Sequence, residues 1–436
     1  MENLRLMNGK PCACGKKHFY DVENIVSGKG VVAQLPEKVK KFGAKKAFVL
    51  SDKNTFKVAG ERVIKLLEDA DITVLSFSFN DDEVVPDEKS VGLAIMHFDR
   101  SCDIIIGIGS GVINDIGKIV SAVSGKPYII VATAPSMDGY ASATSSMTRA
   151  GLKISLPSRA ADVIIGDVDI LKTAPLKMLK SGIGDMLAKY VSICEWRIAN
   201  LITGEYYCEN VAKLVRGALS RCVQNAQKLM ERDEDAILAV FDGLVIGGVA
   251  MNYAGVSRPA SGVEHYFSHV WDMRGVEFGL KVDFHGIQCA VGTLIASRLY
   301  EKIKKITPDK QKAITYVKNF DVEDWNAQLK SFLGKGALSM IELEKKEGKY
   351  DVNKHAKRID VIIENWDKVI QIIEEELPSA QQIENVLNIL DAPKTLSEIG
   401  VDENILSISF KATKDIRDKY VLSRLAFDLG VIEEIL

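Results

Sequence analysis

The chain has 436 residues, of which 47% are hydrophobic and 26% charged, and its formal net charge is −3. This mixture is typical of a globular protein with two or three domains. The charge gives no electrostatic footprint for nucleic acid, and no continuous apolar run is long enough to span a membrane. Seven scattered cysteines behind a polar N-terminus predict a cytoplasmic protein.

Near the N-terminus, Cys12 and Cys14 are separated by one residue, and His18 follows four residues later. Thiolates and imidazoles are the usual ligands of structural zinc. One Cys-x-Cys pair with a nearby histidine is only half of such a site, and no second cluster with structural-zinc spacing follows in the sequence. The pattern therefore favours an ordinary turn.

Residues 47 to 166 alternate short apolar runs with amphipathic stretches. The apolar, β-branched runs predict strands, and apolar residues at helical spacing predict helices between them. This alternation is typical of a parallel sheet covered by helices. The predicted strands are 47–50, 73–78, 103–108, 128–131 and 163–166, and the predicted helices are 56–70, 86–99 and 113–124.

After about residue 172 the strand-like runs nearly disappear, and apolar residues recur at helical spacing. The sequence therefore predicts a Rossmann-like α/β domain over residues 1–172, followed by an all-helical domain over residues 173–436. In an open parallel sheet, ligands bind beyond the carboxyl ends of the strands.

A glycine-rich turn follows the third predicted strand, in the sequence GIGSGVINDIGK at 107–118. Glycines let main-chain amides approach a phosphate closely, and the N-terminus of the following helix attracts negative charge. The alternative is a tight turn without a ligand, since this is not the GxGxxG fingerprint after a first strand. The residues predicted to hold a dinucleotide pyrophosphate are Gly109, Ser110, Gly111, Val112 and Ile113.

Two acidic residues follow other predicted strands. Asp52 lies where a carboxylate would bind an adenosine ribose and repel a 2′-phosphate, although Lys53 and Lys57 blur that preference. Asp138 lies in ATAPSMDGYASATSS, residues 132–146, which is long enough to lie across a nicotinamide and present Asp138 to a substrate. Capping of a turn is the alternative role for Asp138.

Three of the six histidines lie between residues 265 and 285. His265 and His269 share a face if their segment is helical, His285 follows, and Asp185 lies upstream after a Gly-x-Gly turn. Each residue alone has a structural explanation, such as the preference for acidic groups at helix starts. Together, one carboxylate and two or three imidazoles suit a catalytic divalent metal, and zinc, nickel and iron(II) all accept these ligands.

These motifs resemble those of the sn-glycerol-1-phosphate dehydrogenases, within the superfamily of glycerol dehydrogenase, iron-type alcohol dehydrogenases and dehydroquinate synthase. The resemblance covers most of the chain and implies a dehydroquinate synthase-like fold. SRPASGVEHYFSH is its most specific piece, whereas the glycine turn is shared across the superfamily. The other matching pieces are TAPSMDGYAS, GIGDMLAK, the FHG around His285 and IRDKYVLSRLAFDLG, which is similar to the longer bacterial members.

The resemblance implies a role for each matching residue. Asp185, His265 and His285 would hold one metal ion, Zn²⁺ or Ni²⁺ in preference to Fe²⁺. Asp138 and His269 would face the substrate, and Asp185 would border it as well. NAD(H) or NADP(H) would be lined by Asp52, Gly109, Ser110, Gly111, Val112, Ile113, Thr133, Ala134, Pro135, Ser136 and Ser142.

The implied reaction is the reduction of dihydroxyacetone phosphate to sn-glycerol 1-phosphate. A phosphorylated substrate needs a cationic pocket, and we predict that Arg258 or Lys189 binds the phosphate, since arginine makes bidentate phosphate contacts and Lys189 lies one turn beyond Asp185. An ion pair between Arg258 and a carboxylate such as Glu264 is the alternative. A homodimer or larger homo-oligomer is expected by analogy with superfamily members.

Three other functions stay open at this point. A polyol or alcohol dehydrogenase of the same superfamily would act on an unphosphorylated substrate. A lyase similar to dehydroquinate synthase would use NAD only transiently and regenerate it. A non-catalytic NAD-binding regulator is disfavoured, because the set of Asp185, His265, His269 and His285 is intact.

Overall fold

The computed structural model describes residues 2–21 and 24–436. These residues form two compact units. The sheet unit comprises Met1–Ala150, Ile154–Met186 and Lys213–Val256, and the helical unit comprises Gly151–Lys153, Leu187–Ala212 and Ser257–Leu436. The boundary predicted at residue 172 falls just before a long helix and stays a prediction of domain organisation.

The sheet unit contains a six-stranded sheet in the order β1-β8-β5-β4-β2-β3, and every neighbouring pair in it is parallel. The central strands β4, β5 and β8 are buried along their whole length, as expected where helices cover both faces. A separate two-stranded sheet pairs β6 with β7. The strands are β1 (Ile25–Gly28), β2 (Lys46–Asp52), β3 (Thr73–Phe79), β4 (Ile104–Gly109), β5 (Tyr128–Ala132), β6 (Thr144–Arg149), β7 (Leu152–Pro157) and β8 (Val163–Asp167).

The five predicted strands are confirmed as β2, β3, β4, β5 and β8. Sequence patterns missed β1, because it has only four residues at an edge of the sheet. They also missed β6 and β7, whose partly exposed residues include too many polar side chains to give a strand signal.

Helices surround the sheet and make up nearly all of the second unit, so the predicted fold class is confirmed. The helices are α1 (Glu2–Met7), α2 (Leu35–Lys41), α3 (Lys53–Thr55), α4 (Glu61–Glu68), α5 (Glu88–His97), α6 (Gly111–Ser124), α7 (Val168–Leu171), α8 (Leu176–Thr203), α9 (Glu209–Gln224), α10 (Ala226–Met230), α11 (Glu234–Ala254), α12 (Val263–Phe278), α13 (His285–Ile303), α14 (Lys310–Lys318), α15 (Val322–Leu333), α16 (Gly336–Glu347), α17 (Val352–Glu364), α18 (Trp366–Glu376), α19 (Ala380–Ile389), α20 (Leu406–Thr413) and α21 (Leu422–Asp428).

Among the described residues, α11 is the one helix long and apolar enough to cross a membrane by length and composition. However, 83% of the 18-residue apolar stretch that meets this criterion is buried inside the protein. Phe241 fills the space that a side chain at Gly166 of β8 would need, and Ser27 of β1 donates a 2.7 Å hydrogen bond to Asp242. These contacts are those of a core helix that covers one face of the sheet.

The helix that follows the glycine turn, α6, lies directly against the sheet. A Cβ atom at Gly117 would lie 2.5 Å from the Tyr128 ring, and one at Gly107 would lie 2.4 Å from the Tyr128 hydroxyl. Tyr128 is fully buried. The two glycines therefore make room for one aromatic ring between helix and strand, and that packing holds α6 against the sheet.

We predict that Gly117→Ala lowers the free energy of unfolding by about 1–3 kcal/mol, because the added methyl group overpacks a buried ring. Gly217→Ala is the matched control: Gly217 lies within α9 with open space around it, so alanine should be neutral or stabilise by up to about 1 kcal/mol. Denaturant unfolding of both variants measures this. Equal losses in the two would contradict the packing account.

Candidate active site

The residues predicted to hold the pyrophosphate lie where β4 ends and α6 begins. Ser110 is the N-cap of α6, and its side chain makes no capping hydrogen bond. A Cβ atom at Gly109 would lie 2.5 Å from Ile113, and one at Gly111 would lie 3.4 Å from Met137. The turn therefore requires glycine at 109 for close packing, and the N-terminus of a 14-residue helix follows it. This arrangement suits an anion.

Asp52 ends β2 and caps α3. Its Oδ1 atom accepts hydrogen bonds from the amides of Asn54 and Thr55, at 2.8 and 3.0 Å, in a capping box. Oδ2 takes part in neither bond. The ribose contact predicted for Asp52 therefore stays compatible with its capping role, because one oxygen serves the helix and the other does not.

The segment after β5 is held in place by hydrogen bonds that its carbonyl groups accept from side-chain hydroxyls. The Tyr140 hydroxyl donates to the Ala134 carbonyl at 2.6 Å, and the Ser181 hydroxyl of α8 donates to the Ser136 carbonyl at 2.9 Å. A Cβ atom at Gly182 would lie 1.8 Å from the Pro135 carbonyl oxygen. The first glycine of GIGD is thus required by direct contact between α8 and this segment. Thr133 and Ser142, also predicted to line the cofactor, are buried along the same stretch.

Asp138 and Asp185 are brought together within the sheet unit. The Asp138 amide donates a 2.9 Å hydrogen bond to Oδ2 of Asp185, which is fully buried on α8. Because α8 begins at Leu176, Asp185 lies well inside the helix rather than at its start. Its alternative role as a first-turn acidic residue is therefore excluded. A buried carboxylate with one main-chain donor suits a metal ligand.

In the helical unit, His265 lies on the first turns of α12 and is held by its neighbour Glu264. The Nδ1 atom of His265 lies 2.9 Å from Oε1 of Glu264. A proton on Nδ1 satisfies that carboxylate, so Nε2 keeps its lone pair. A carboxylate behind an imidazole is the usual second partner of a metal-binding histidine.

His285 begins α13 and faces α12. Its Nδ1 atom lies 2.9 Å from the Ser268 hydroxyl, and the ring centroids of His265 and His285 are 5.0 Å apart. Ligand atoms of His265, His285 and Cys289 all lie within 4.8 Å of one another. Both imidazoles thus have a partner at Nδ1, and the donor set of the helical unit fits a divalent metal.

His269 lies one turn beyond His265, and its ring is stacked 6.1 Å from that of His285. Burial lowers the pKa of His269 well below its usual value, and the charges of Arg417, His285, His265 and Lys153 act in the same direction. At neutral pH this imidazole is therefore neutral and able to donate one N–H.

Two buried carboxylates lie beneath the start of α12. Glu264 accepts from the Gly262 amide at 2.7 Å, and Glu195 accepts from the amides of Val263 and Leu422 at 2.9 and 2.8 Å. A Cβ atom at Gly262 would lie 2.5 Å from Glu195, which explains the glycine of SRPASG. Burial raises the pKa of Glu195 to about 8, and the charge of Glu264 acts in the same direction.

Arg258 is fully buried and its guanidinium group is occupied. Nε and Nη2 donate to the two carboxylate oxygens of Glu205, at 2.8 and 2.5 Å, and Nη1 donates to the Tyr420 carbonyl at 2.9 Å. The phosphate contact predicted for Arg258 would require breaking this bidentate ion pair. The structure agrees with the alternative prediction, in which Arg258 pairs with a carboxylate, but the partner is Glu205 and not Glu264.

Two lysines donate to successive carbonyl groups of the same segment. Lys189 Nζ donates to the Ala260 carbonyl at 3.1 Å, and Lys419 Nζ donates to the Ser261 carbonyl at 2.7 Å. Within the described residues Lys419 forms no ion pair with a carboxylate. Burial lowers its pKa to about 7, and the charge of Arg258 acts in the same direction. A bound anion would stabilise the charged form of such a buried ammonium group.

Sequence reasoning gave no role to Ser268, Cys289 and Lys419, and it considered Glu264 only as a partner of Arg258. Cys289 could have been found, because it lies four residues after His285 and a helix places such residues on one face. Glu264 could also have been found as the neighbour of His265. Lys419 could not, since only the fold brings the loop between α20 and α21 to Ser261.

The comparisons with known proteins show the family of this chain. Residues 26–175 match the family model described as iron-containing alcohol dehydrogenase. The glycerol-1-phosphate dehydrogenase of Halalkalibacterium halodurans is 32% identical over 301 residues, which are 68% of this chain and 75% of the relative. The chain belongs to the glycerol-1-phosphate dehydrogenase family. It is therefore an oxidoreductase, as predicted.

Another relative and a solved structure are also similar to this chain. The glycerol-1-phosphate dehydrogenase of the archaeon Methanosarcina mazei is 34% identical over 64% of this chain and 76% of its own length. The NADH-dependent butanol dehydrogenase A of Thermotoga maritima has a TM-score of 0.59 and 16% identity, over 96% of this chain and 98% of that one. The structural likeness supports the fold alone.

We predict that Gly182→Ala in α8 greatly reduces turnover, because its methyl group would displace the main chain that positions Asp138. The control is Gly92→Ala in α5, where open space surrounds the glycine. Steady-state kinetics and unfolding of both variants measure this. Full activity in Gly182→Ala would show that the segment at 133–138 tolerates movement.

We predict that Glu195 makes the folded protein less stable as pH rises. Its pKa is raised in the fold, so the folded state binds more protons than the unfolded state between the ordinary glutamate pKa and about 8. This stability is present at low pH and is lost as pH rises through 8. Melting temperatures from pH 5 to 9 should fall more steeply for the wild type than for Glu195→Gln; parallel curves would contradict the assignment.

Proposed function

We propose that this enzyme reduces dihydroxyacetone phosphate to sn-glycerol 1-phosphate with NADH or NADPH and one divalent metal ion. The observation that carries the proposal is the pair of imidazoles, His265 and His285, whose Nδ1 atoms are both held by hydrogen bonds from α12, in a chain of the glycerol-1-phosphate dehydrogenase family. The proposed homo-oligomer stays an expectation from related enzymes.

We propose Asp185, His265 and His285 as the metal ligands. The buried carboxylate of Asp185 and the oriented imidazoles support this set, since three mixed oxygen and nitrogen ligands leave open positions for substrate. A bound Zn²⁺ or Ni²⁺ would act as a Lewis acid on the substrate carbonyl. Glu264 and Ser268 would fix the two rings by their Nδ1 hydrogen bonds.

The chain's own residues would align the hydride donor and the ketone. The turn from Gly109 to Ile113 would hold the pyrophosphate at the N-terminus of α6, Asp52 would bind a ribose with Oδ2, and the segment from Thr133 to Ser142 would border the nicotinamide. Asp138, positioned by its amide on Asp185, would face the substrate. Neutral His269 would donate an N–H hydrogen bond to a substrate oxygen, and the proton would come from water.

For the phosphate we propose Lys419 together with Lys189 in place of Arg258. Their ammonium groups donate to adjacent carbonyl groups, those of Ala260 and Ser261. These two carbonyl groups precede α12, the helix that carries His265. The amides of Val263, the first residue of α12, and of its N-cap Gly262 are bonded to Glu195 and Glu264, so the lysines rather than these amides would supply the positive charge.

We predict that Lys419→Met raises KM for dihydroxyacetone phosphate about 10- to 100-fold, because one charged hydrogen bond to the phosphate is lost. KM for unphosphorylated dihydroxyacetone should not change, and Lys419→Arg should recover part of the loss. Lys318→Met, at an exposed lysine of α14, is the control. If KM for both substrates rises equally, Lys419 supports the fold and does not contact the phosphate.

We predict that His285→Ala or Asp185→Asn lowers the metal content of the active site and abolishes turnover, because each removes one of three protein ligands. Elemental analysis of the purified variants, beside activity, measures this. His97→Ala is the control, since that ring lies on α5 in the sheet unit and bonds to its own helix through the Leu93 carbonyl. Full metal content in His285→Ala would exclude it as a ligand.

The substrate is tested by comparing dihydroxyacetone with its phosphate and by stereospecific assay of the product. Preference for the unphosphorylated ketone would establish the polyol dehydrogenase alternative, and sn-glycerol 3-phosphate as product would overturn the proposal. A lyase would give no net change in NADH absorbance during turnover.

A further inference from the structure

The N-terminal segment folds into a tight turn that brings two thiols and an imidazole together. The Cys12 amide donates to the Lys16 carbonyl at 3.1 Å, and the Gly15 amide donates to the Cys12 carbonyl at 2.9 Å. Gly15 has a φ of +84°, which glycine adopts without strain. Pro11 and Lys17 pair across the turn as an antiparallel bridge. The turn thus folds the chain back so that Cys12, Cys14 and His18 face one point.

The distances between these side chains suit ligands of one metal ion. Cys14 Sγ lies 3.3 Å from His18 Nε2, and the ligand atoms of Cys12, Cys14 and His18 lie within 4.8 Å of one another. Ligands at zinc–sulfur and zinc–nitrogen bond lengths in tetrahedral geometry are roughly 3.5 Å apart. The side chains need little movement to bind a metal.

The histidine is already oriented for this role. His18 is 2% exposed, and its Nδ1 atom lies 3.0 Å from the Tyr253 carbonyl at the end of α11. A carbonyl only accepts, so Nδ1 carries the proton and Nε2 keeps its lone pair. Nε2 is the atom that faces Cys14. A main-chain acceptor behind a histidine is the arrangement seen at metal sites.

We propose that Cys12, Cys14 and His18 are ligands of a structural Zn²⁺, separate from the metal of the active site. Thiolates with an imidazole select zinc over magnesium, calcium or manganese. The ion would fasten the N-terminal turn to the end of α11, where Lys16 also donates to the Ala254 carbonyl at 3.2 Å. The enzyme would therefore hold two metal ions per chain.

Metal analysis of the full-length protein, grown with zinc, tests this. We expect two equivalents in the wild type, and one each in Cys12→Ser/Cys14→Ser and in His285→Ala. After cobalt exchange, His285→Ala should keep the thiolate-to-cobalt charge-transfer absorption, and Cys12→Ser/Cys14→Ser should lose it. Cys289→Ser, which removes the thiol beside the active-site imidazoles, should keep it. Cys102→Ala controls for the loss of a buried thiol elsewhere in the sheet unit.

Several results would overturn the site. These are one equivalent of metal in the wild type, two in the double serine variant, or no thiolate absorption in cobalt-loaded His285→Ala. If the serine variant does not fold, the wild type still decides: a chelator should expose two further thiols to a thiol reagent, and unchanged thiol reactivity contradicts zinc binding. Retention of both metals in His285→Ala with thiolate absorption intact would count against the active-site proposal alone.

Discussion

The hydrogen bond between Glu264 and His265 is the constraint on which the candidate site depends. It fixes the imidazole's protonated nitrogen and its ring plane, and the same carboxylate accepts the Gly262 amide at the start of α12. Glu264, in the first turn of α12, therefore also orients the imidazole of the next residue. From the next turn of α12, the Ser268 hydroxyl holds the ring of His285 by its Nδ1 atom, so one helix orients two imidazoles.

The segment from residue 257 to 263 is held by lysine side chains that bind its carbonyl groups and by glutamate side chains that bind its amide groups. Lysine ammonium groups bond to Ala260 and Ser261, while Glu195 and Glu264 bond to the amides of Val263 and Gly262. Hydrogen bonds to both the carbonyl and the amide groups thus hold this buried polar segment in place. Glycine at 262 is required because Glu195 leaves no room for a side chain.

Periodicity and strand composition were enough to predict the sheet, because central parallel strands are continuously apolar. The same signals could not predict β1, which is short, or the two-stranded sheet, which is polar. Motifs predicted Asp138, Asp185, His265 and His285 as site residues, and the structure gives each a local partner. They could not reveal that Arg258 is paired with Glu205, or that Lys419 reaches Ser261, since both depend on contacts far apart in sequence.

Arg258 has a consequence for how variants of this family are interpreted. Its guanidinium group bonds to the carbonyl of Tyr420, the residue after Lys419, and it ties residue 258 to Glu205 at the same time. Removing it would loosen the chain on which Lys419 is placed. An alanine scan of Arg258 alone would therefore not distinguish a lost contact with substrate from a displaced loop between α20 and α21.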